Sequence, residues 1–572
     1  MNFLLIAINA KYIHTNPALL SIRSYCSASG YEAQIAEFTI NNPLSDIMAD
    51  IYALKPDVMA FSCYIWNWQV VERLTVELPK ILPSTPIWLG GPEVSYNSEK
   101  IMKANPAIKG IVIGEGEQTL KEIYAYYAGL QDETVKTELG HIKGIIFRGQ
   151  TNEIVKNPPR DLLNIDDLSF SYAYLAGEDI KNRIIYYESS RGCPFRCSYC
   201  LSAVDKTVRY KDLRKVKSEL QAILADGVKQ VKFVDRTFNL NHENALAIWQ
   251  FIRDNDNGVT NFHFEIAADL LTDAEIMLLN DFRPGLIQLE IGVQTTHQAT
   301  LESINRKMDF DRVKKVIKAL RQKQNIHLHL DLIAGLPNED YETFANSFND
   351  VYALGPHNLQ LGFLKVLPGT PLRQEAAGLG IVYEDGPPYQ VLFTKWLNYA
   401  EIRRLTRIEE MVDIFYNTNQ FMNTIAVLEM AFESPFKMYE KLAAFFTEKN
   451  YFRQAPARVF RYQALLDFAV KFDSQNEDCY RELLTHDMYL REKTKTRPDF
   501  AHDLSPYRQE INNFYAKEEK EKIRMSTIEV FYYHIEAESA KDKLRRDDEP
   551  RFILYDYQNR DALTNNAQII KS

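Results

Sequence analysis

Three of the six cysteines in this chain stand within eight residues of one another, as Cys193, Cys197 and Cys200. Thiols at such short spacing indicate a metal centre or a redox site. A structural zinc site closes with four ligands, and neither a second cysteine pair nor a nearby histidine completes one in this sequence. A redox Cys-x-x-Cys motif would leave the third thiol unexplained. Three thiolates on a tight loop suit an iron–sulfur cubane in which one iron stays open for a substrate or cofactor.

The cysteine motif follows the first of six short apolar strands, which are separated from one another by helical segments. The predicted strands are Ile184–Tyr187, Gln230–Val234, Asn261–Ile266, Leu286–Ile291, His327–Ile333 and Leu359–Val366. Repeated βα units at this spacing predict a partial (β/α)6 barrel over residues 181–375. The loops after the strands carry the chemistry of such barrels, and the three cysteines fall on one of these loops.

The region before the barrel also alternates strands with helices. Its predicted strands are Phe3–Ile8, Gln34–Ile40, Val58–Phe61, Ile87–Leu89 and Gly110–Ile113. This α/β rhythm predicts a Rossmann-like, doubly wound parallel sheet over residues 1–140, with residues 141–180 as a connector. Ligands of such sheets bind beyond the carboxyl ends of the strands. No Gly-x-Gly-x-x-Gly follows the first strand, so the dinucleotide fingerprint is missing.

Residues 376–572 are predicted to form a third, mainly helical domain, because the strand signals fade there. Glu401–Tyr416 and Phe436–Phe446 are amphipathic helix candidates, and Ile528–Tyr533 with Arg551–Tyr555 is a candidate strand pair. The densest basic stretch, Arg491–Arg497, is predicted to be a solvated turn rather than a nucleic-acid contact.

The composition is that of an ordinary folded protein, with 46% hydrophobic and 25% charged residues. A net charge of -10 argues against a chain that coats nucleic acid through its bulk charge. Six cysteines in 572 residues are too few for a disulfide scaffold, and the first residues lack the basic segment of a signal peptide. No apolar run approaches the roughly 18 to 20 residues that cross a bilayer. We therefore expect a cytoplasmic, monomeric protein that does not enter a membrane.

The cysteine spacing after the first barrel strand resembles that of the radical S-adenosylmethionine (SAM) superfamily. The resemblance implies that Cys193, Cys197 and Cys200 hold three irons of a [4Fe-4S] cluster, and that SAM chelates the fourth. Reductive cleavage of SAM would then give a 5'-deoxyadenosyl radical. Tyr199 matches the aromatic position beside the adenine. Asp235, after the second strand, is the candidate contact to the methionyl amine, although the usual Gly-Gly-Glu is absent there.

Three more residues are SAM candidates on the same resemblance. Glu290 and Gln294 would lie near the ribose or carboxylate of SAM, and Glu265 belongs to the same group. Both glutamates stand in apolar strands, where an unpaired carboxylate is costly to bury. A structural salt bridge to a neighbouring strand or helix is the open alternative for them.

The polar turns of the first sheet, placed before such a barrel, resemble the cobalamin-binding domains of cobalamin-dependent radical SAM enzymes. The match covers roughly residues 1–375. The residues that this resemblance assigns to cobalamin are Asn9, Ala10, Lys11, Ser62, Tyr64, Trp66, Asn67, Gly90, Gly91, Pro92, Glu93, Gly114, Glu115, Gly116 and Glu117.

One departure concerns the lower face of the cobalt. Corrinoid proteins with a histidine ligand carry Asp-x-His-x-x-Gly, whereas His14, in the first-turn loop, has no Asp two positions before it. The resemblance then implies a cobalt without a protein ligand, shielded by Tyr64, Trp66 or Asn67. Two alternatives stay open: Trp66 only packs between domains, or the domain keeps its fold without binding a corrinoid.

The resemblance implies a methyltransferase that acts on an unactivated carbon. One SAM would methylate cob(I)alamin, a second would give the radical, and the substrate radical would take the methyl group. The alternatives are a radical SAM enzyme that cyclises or rearranges its substrate, and a regulator that senses a corrinoid or a cluster. An electron donor such as flavodoxin or ferredoxin is expected, and the substrate is a small molecule, a peptide or RNA. The helical C-terminal domain would cap the barrel and select the substrate.

Overall fold

The computed structural model describes residues 1–131, 138–173, 180, 182–204, 206–453, 458–494, 496–516 and 524–571. Lys495, in the basic stretch for which a solvated turn was predicted, lies outside these ranges. Within them, every helix is too short or too polar to span a bilayer.

The first sheet has seven strands in the order β2-β1-β3-β4-β5-β6-β7. They are β1 (Phe3–Asn9), β2 (Ala33–Thr39), β3 (Val58–Ser62), β4 (Ile87–Gly90), β5 (Ile108–Val112), β6 (Ile145–Arg148) and β7 (Ile154–Lys156). The first five pair in parallel, and every residue of β1 and β3 is buried, which explains their unbroken apolar runs. Strand order reverses between β1 and β3, the point at which ligands bind in such sheets.

The predicted doubly wound sheet is confirmed, but it extends beyond residue 140. β6 pairs antiparallel with β5, and β7 pairs with β6, so two strands of the predicted connector complete this sheet. Its helices are α1 (Pro17–Ser27), α2 (Leu44–Leu54), α3 (Trp68–Ile81), α4 (Pro92–Ser95), α5 (Ser98–Ala104) and α6 (Glu117–Gln131). The start of α1 is fixed by Asn16, whose side chain accepts from the Leu19 amide, and by Pro17 in the first turn.

The second sheet contains the six predicted barrel strands, in the order β15-β14-β13-β12-β11-β8. They are β8 (Ile184–Tyr187), β11 (Gln230–Phe233), β12 (Asn261–Ile266), β13 (Ile287–Gln294), β14 (Ile326–Ala334) and β15 (Asn358–Phe363). All neighbours pair in parallel, and the sheet stays open between β15 and β8. In β13 and β14 buried residues alternate with partly exposed ones, so one face packs on helices and the other faces the barrel interior. The short β9 (Ser190–Arg191) and β10 (Arg209–Tyr210) pair with each other around the cysteine loop.

Helices cover the outside of this open barrel. They are α7 (Leu213–Ala225), α8 (His242–Asp254), α9 (Asp273–Asn280), α10 (Gln298–Ser303), α11 (Phe310–Leu320), α12 (Tyr341–Tyr352) and α13 (Pro371–Glu375). Helix α9 begins with a capping box in which Thr272 and Glu275 bond to each other's backbone amides.

Both edges of the barrel sheet are covered by other segments. At the β8 edge, the Ile184 amide donates to the Ile13 carbonyl at 2.7 Å, so the loop after β1 adds a short parallel bridge. At the β15 edge, the Val391 amide donates to the Leu364 carbonyl at 2.8 Å. The loop after β1 is therefore part of the first domain and of the barrel edge at once.

The third region is mainly helical, as predicted. Its helices are α14 (Tyr399–Phe415), α15 (Met422–Leu428), α16 (Pro435–Glu448), α17 (Arg458–Phe472), α18 (Glu477–Arg491), α19 (Arg508–Tyr515) and α20 (Ala540–Lys543). Its strands are β16 (Val382–Tyr383), β17 (Val391–Phe393), β18 (Ser526–Tyr533), β19 (Arg546–Arg560) and β20 (Ala567–Lys571). The predicted late pair, β18 and β19, gains β20 as a third strand. One continuous apolar core joins this region to the barrel, whereas the first sheet has separate cores on its two faces.

Candidate active site

The three cysteines lie on the loop between β9 and β10, which begins at Gly192. Gly192 has a φ of +105°, and a Cβ atom there would lie 1.9 Å from the Thr207 carbonyl oxygen. Only glycine therefore allows this turn. Further along, the Ser198 amide donates to the Ile304 carbonyl and the Leu372 amide donates to the Ser198 carbonyl, both at 2.9 Å. These bonds fix the cysteine loop to two other segments of the barrel rim.

Cys193 and Cys197 are buried, Cys200 is half-buried, and all three are free thiols. Burial raises the pKa of the Cys193 thiol, whose Sγ lies 4.0 Å from Thr237 Oγ1. Among the described residues, no three His, Cys, Asp or Glu side chains are placed to share one metal ion. A cubane does not require such convergence, since each cysteine binds a different iron. The loop therefore fits an iron–sulfur cluster with one iron free of protein ligands.

Arg306 and Gln294 border the cysteine loop from the barrel mouth. Arg306 donates to Cys197 Sγ at 3.7 Å and also to the Gly292 carbonyl. Gln294 has a φ of +73°, which is uncommon for a side chain of this size. Its Oε1 and the Nε of Arg306 are buried and lack a hydrogen-bond partner among the described residues. Such atoms fit a polar ligand like the amino acid moiety of SAM. Sequence reasoning missed Arg306 because it follows α10 rather than a strand end.

Asp235 anchors the strand that leads into the cysteine loop. Its buried carboxylate accepts from the Ser189 amide at 3.0 Å, and from the Ser189 and Ser190 hydroxyls at 2.6 Å each. Burial raises the pKa of Asp235 to about 6, although these bonds oppose the rise. Burial also raises the pKa of the half-buried Tyr199, and the nearby Arg306 offsets part of that rise. The roles of Tyr199 and Asp235 as SAM contacts stay predictions.

Glu265 and Glu290 line the barrel interior around one lysine. Lys232 Nζ lies 3.0 Å from Glu290 and 3.7 Å from Glu265, and His263 Nε2 lies 2.9 Å from Glu290. Burial alone would raise the pKa of Glu290, but His263 and Lys232 lower it to about 2. Both glutamates thus have the cationic partner that the structural alternative required. Contact with SAM stays a prediction for them.

A cavity of about 960 Å³ lies between the carboxyl edge of the first sheet and the barrel. It continues between the sheet, α1 and α6, where Leu19, Trp88 and Leu120 form apolar walls. Twelve of the predicted cobalamin residues line it: Asn9, Ala10, Ser62, Tyr64, Trp66, Gly90, Gly91, Pro92, Gly114, Glu115, Gly116 and Glu117. Lys11, Asn67 and Glu93 are not among its lining residues. Lys11 is exposed on the loop after β1.

Asn67 shapes the β3 loop instead of facing the cavity. Its buried amide group donates to the carbonyls of Ile8 at 3.0 Å and Ser62 at 2.9 Å. Its Oδ1 accepts from the Tyr64 amide at 2.8 Å. These bonds hold the β3 loop together and against the end of β1, and the role of Asn67 as a shield of the cobalt face stays a prediction.

The β4 loop packs closely on the β3 loop. Gly91 has a φ of +112°, and a Cβ atom there would lie 2.5 Å from the Cys63 carbonyl oxygen. Two residues later, the buried Glu93 accepts a hydrogen bond from Tyr389 of the third region. Glu93 therefore ties the first domain to the segment after the barrel.

Tyr64 and Trp66 present stacked rings to the cavity. Their centroids are 4.3 Å apart with planes within 8° of parallel, and Trp66 stays 48% exposed, which leaves an aromatic face open to a ligand. On another wall, His14 Nδ1 lies 2.8 Å from the Tyr186 hydroxyl of β8. Burial and the adjacent Lys11 lower the pKa of His14. His14 is therefore bound to the barrel through one ring nitrogen.

Arg191 connects the predicted cobalamin loop to the barrel. Its guanidinium lies 3.0 Å from Glu115, 2.9 Å from Glu117 and 2.7 Å from Glu188. Arg209 contacts Glu115 as well, at 2.7 Å. The acidic residues of the Gly114–Glu117 turn are consequently engaged by arginines that flank the cysteine loop. Sequence reasoning predicted the turn but missed these partners, because nothing local links positions so far apart.

Comparison with known families agrees with this division of the chain. Residues 4–124 match the B12 binding domain, and residues 187–351 match the radical SAM superfamily. The chain is thus a protein in which a B12 binding domain precedes a radical SAM domain. Its last part, residues 378–555, matches the family described as protein of unknown function (DUF4080). A radical SAM domain takes a [4Fe-4S] cluster and SAM, and a B12 binding domain takes cobalamin, as the resemblance implied.

Two relatives that are similar to this chain are named for different activities. The cobalamin-dependent radical SAM methyltransferase TokK of Streptomyces tokunonensis is 25% identical over 369 residues, which are 60% of this chain and 52% of TokK. The anaerobic magnesium-protoporphyrin IX monomethyl ester cyclase of Rubrivivax gelatinosus is 23% identical over 365 residues, or 62% of this chain and 65% of the cyclase. The chain thus spans half to two thirds of the length of these relatives.

A solved structure extends the likeness of the fold. The cobalamin-dependent SAM radical enzyme OxsB with aqua-cobalamin bound aligns with a TM-score of 0.59 at 14% identity. The alignment covers 92% of this chain and 76% of that one. It supports the fold over the first domain, the barrel and most of the third region.

Proposed function

We propose that this protein is a cobalamin-dependent radical SAM methyltransferase that acts on an unactivated carbon. The observation that carries the proposal is one cavity bounded by both cofactor domains, with Tyr64 and Trp66 on one side and Tyr186 and Arg236 on the other. When bound, the cluster with SAM would supply a 5'-deoxyadenosyl radical, and cobalamin would supply the methyl group. The relatives and neighbours named as cobalamin-dependent enzymes support this function.

We assign the chain's own residues as follows. Cys193, Cys197 and Cys200 hold the cluster, and Gln294 with Arg306 offers its unsatisfied polar atoms to SAM. The apolar walls of the cavity hold cobalamin and exclude water from the space between the two domains, which protects a radical from side reactions. Residues 1–140, 181–375 and 376–572 form the three functional domains in this proposal, with β6 and β7 added to the first.

A reductant such as flavodoxin or ferredoxin would deliver the electron that starts each turnover. We place the protein in the cytoplasm as a monomer, where reducing conditions keep its sparse cysteines as thiols. The third region would cap the open side of the barrel and select the substrate. Its continuous apolar core with the barrel supports this placement.

Radical cyclisation is the second candidate function. The likeness to the magnesium-protoporphyrin IX monomethyl ester cyclase, at 23% identity, favours it over other outcomes of the radical. The two functions differ in how they use SAM, because methylation of cobalamin by SAM releases S-adenosylhomocysteine and a cyclisation does not.

Product analysis of the anaerobically reconstituted protein tests the proposal. After reduction with SAM and cobalamin present, we expect both 5'-deoxyadenosine and S-adenosylhomocysteine. Cys197→Ala should abolish 5'-deoxyadenosine, whereas Cys479→Ala, which removes a buried thiol of the third region, should not. Formation of 5'-deoxyadenosine alone would favour cyclisation. A protein that binds no corrinoid after loading would overturn the methyltransferase proposal.

A further inference from the structure

Arg236 differs from every other charged residue that lines the cavity. The glutamates of the β5 loop and Glu188 contact Arg191, as described above, and Lys211 lies 2.8 Å from Glu219. Arg236 is exposed and lines the cavity, and its guanidinium makes no hydrogen bond or ion pair with any described residue. A guanidinium that lines a largely apolar cavity and forms no ion pair with the described residues points to a ligand that supplies the anion.

The backbone on both sides of Arg236 is firmly held. Asp235 is buried against two serines, and Thr237 donates from its hydroxyl to the Arg236 carbonyl at 2.7 Å. The guanidinium therefore projects from a fixed position rather than from a loose loop. The planar guanidinium that extends from this backbone is suited to bidentate recognition of a carboxylate or phosphate.

Arg236 also stands between the two cofactor domains. Burial raises the pKa of Tyr64 on the β3 loop and of Glu265 on β12, and Arg236 offsets part of both rises. The guanidinium is thus close to a residue of each domain. A second arginine, Arg306, is already beside Cys197, where the SAM carboxylate would chelate the cluster. Arg236 is left for a different anion.

We propose that Arg236 binds a carboxylate or phosphate group of a small-molecule substrate held between the two cofactors. This rests on the proposed function, since it requires the substrate to lie in the cavity between the domains. The anionic group would fix one end of the substrate and so present a particular carbon to the radical.

Chemical modification of arginines tests this proposal directly. Phenylglyoxal is applied to the protein reconstituted with the cluster, cobalamin and SAM, and modified peptides are quantified by mass spectrometry. We expect Arg236 to react, and inorganic phosphate or acetate to protect it. A probe held at ten times its dissociation constant should slow the reaction about tenfold by mass action. Arg403, exposed on α14, is the control that should react equally with and without the probe.

Three results would overturn the proposal. Loss of reactivity on loading cobalamin alone would assign Arg236 to the cobalamin phosphate, and loss on adding SAM would assign it to the SAM carboxylate. Reactivity that neither phosphate nor acetate reduces would exclude an anion site. Which of the two probes protects better distinguishes a phosphate from a carboxylate substrate.

Arg236→Gln and Arg236→Lys complete the test. Calorimetric titration with whichever of phosphate and acetate protects better should show binding to the wild type, weaker binding to the lysine variant and none to the glutamine variant. Retained corrin and cluster absorption shows that a variant is folded and loaded. 5'-Deoxyadenosine and S-adenosylhomocysteine are measured on the same wild-type preparation, so failure of the methyltransferase function is read separately from failure of the anion site.

Discussion

Replacing Arg191 by glutamine removes the cation that holds three carboxylates between the first domain and the barrel. The Arg191 side chain is 21% exposed, and the side chains of Glu115, Glu117 and Glu188 are 18%, 6% and 28% exposed. Removal of one partner from a buried ion pair costs about 3–5 kcal/mol, because the remaining charge stays shielded from water and no longer has a partner. We therefore expect the Arg191→Gln substitution to lower the free energy of unfolding of the protein by that amount.

The loss should depend on pH. Burial tends to raise the pKa of Glu115, but Arg209, the Leu163 amide and Arg191 lower it below its usual value. The ionised Glu115 stabilises the fold fully at pH values above its usual pKa. This stabilisation is lost as the pH falls through the lowered pKa. Without Arg191, Glu115 takes up a proton more readily. The difference between wild type and variant should therefore be largest near pH 7 and narrow towards about pH 4.

Urea unfolding of the apoprotein, followed at both pH values, measures this difference. Arg253→Gln is the matched control, because its ion pairs with Asp254 and Asp281 are exposed and should contribute less than about 1 kcal/mol. Glu117→Gln in the Arg191→Gln background should restore part of the stability. An Arg191→Gln loss no larger than that of the control, or one independent of pH, would refute the reasoning.

Three further predictions concern the turn, the thiols and the buried aspartate. Gly91→Ala should destabilise the protein by about 1–3 kcal/mol and more than Gly30→Ala in thermal unfolding, since both have positive φ but only the first meets a neighbouring atom. Iodoacetamide at pH 8 should label Cys200 before Cys479 in the native apoprotein, as read by mass spectrometry, because burial raises the pKa of Cys479 to about 12. Asp235 has a pKa raised to about 6, so the stability from its protonated form is full below about pH 4 and lost as the pH rises through 6. Asp235→Asn should remove that component from the pH dependence of urea unfolding.

The fold could be predicted largely because its signals are local. Unbroken apolar runs such as Phe3–Ile8 occur where both faces of a strand are buried, and β1 is such a strand. The extension of the first sheet by β6 and β7 could not be predicted, because pairing with β5 is a long-range choice that the apolar pattern of a short strand does not encode.

The residues of the candidate site also divide into those with a local sequence signal and those without one. The three cysteines were found from spacing alone, and the glycine turns from residue type. Arg191 and Arg306 were missed, since Glu117 and Cys197, which they contact at the site, lie 74 and 109 residues away in the chain. Asn67 was predicted to face the ligand from its place on the β3 loop, and the sequence could not show that its amide group bonds to the carbonyls of Ile8 and Ser62.

The bridge between the loop after β1 and β8 has a consequence for the modularity of the chain. A fragment cut at the apparent boundary near residue 181 would expose the backbone groups of the β8 edge, which then template association with other chains. The first domain thus covers the β8 edge of the barrel sheet, which would otherwise be unpaired. Gene fusions or domain exchanges that replace it must carry a segment equivalent to Ile13–Thr15, or the barrel becomes prone to aggregate.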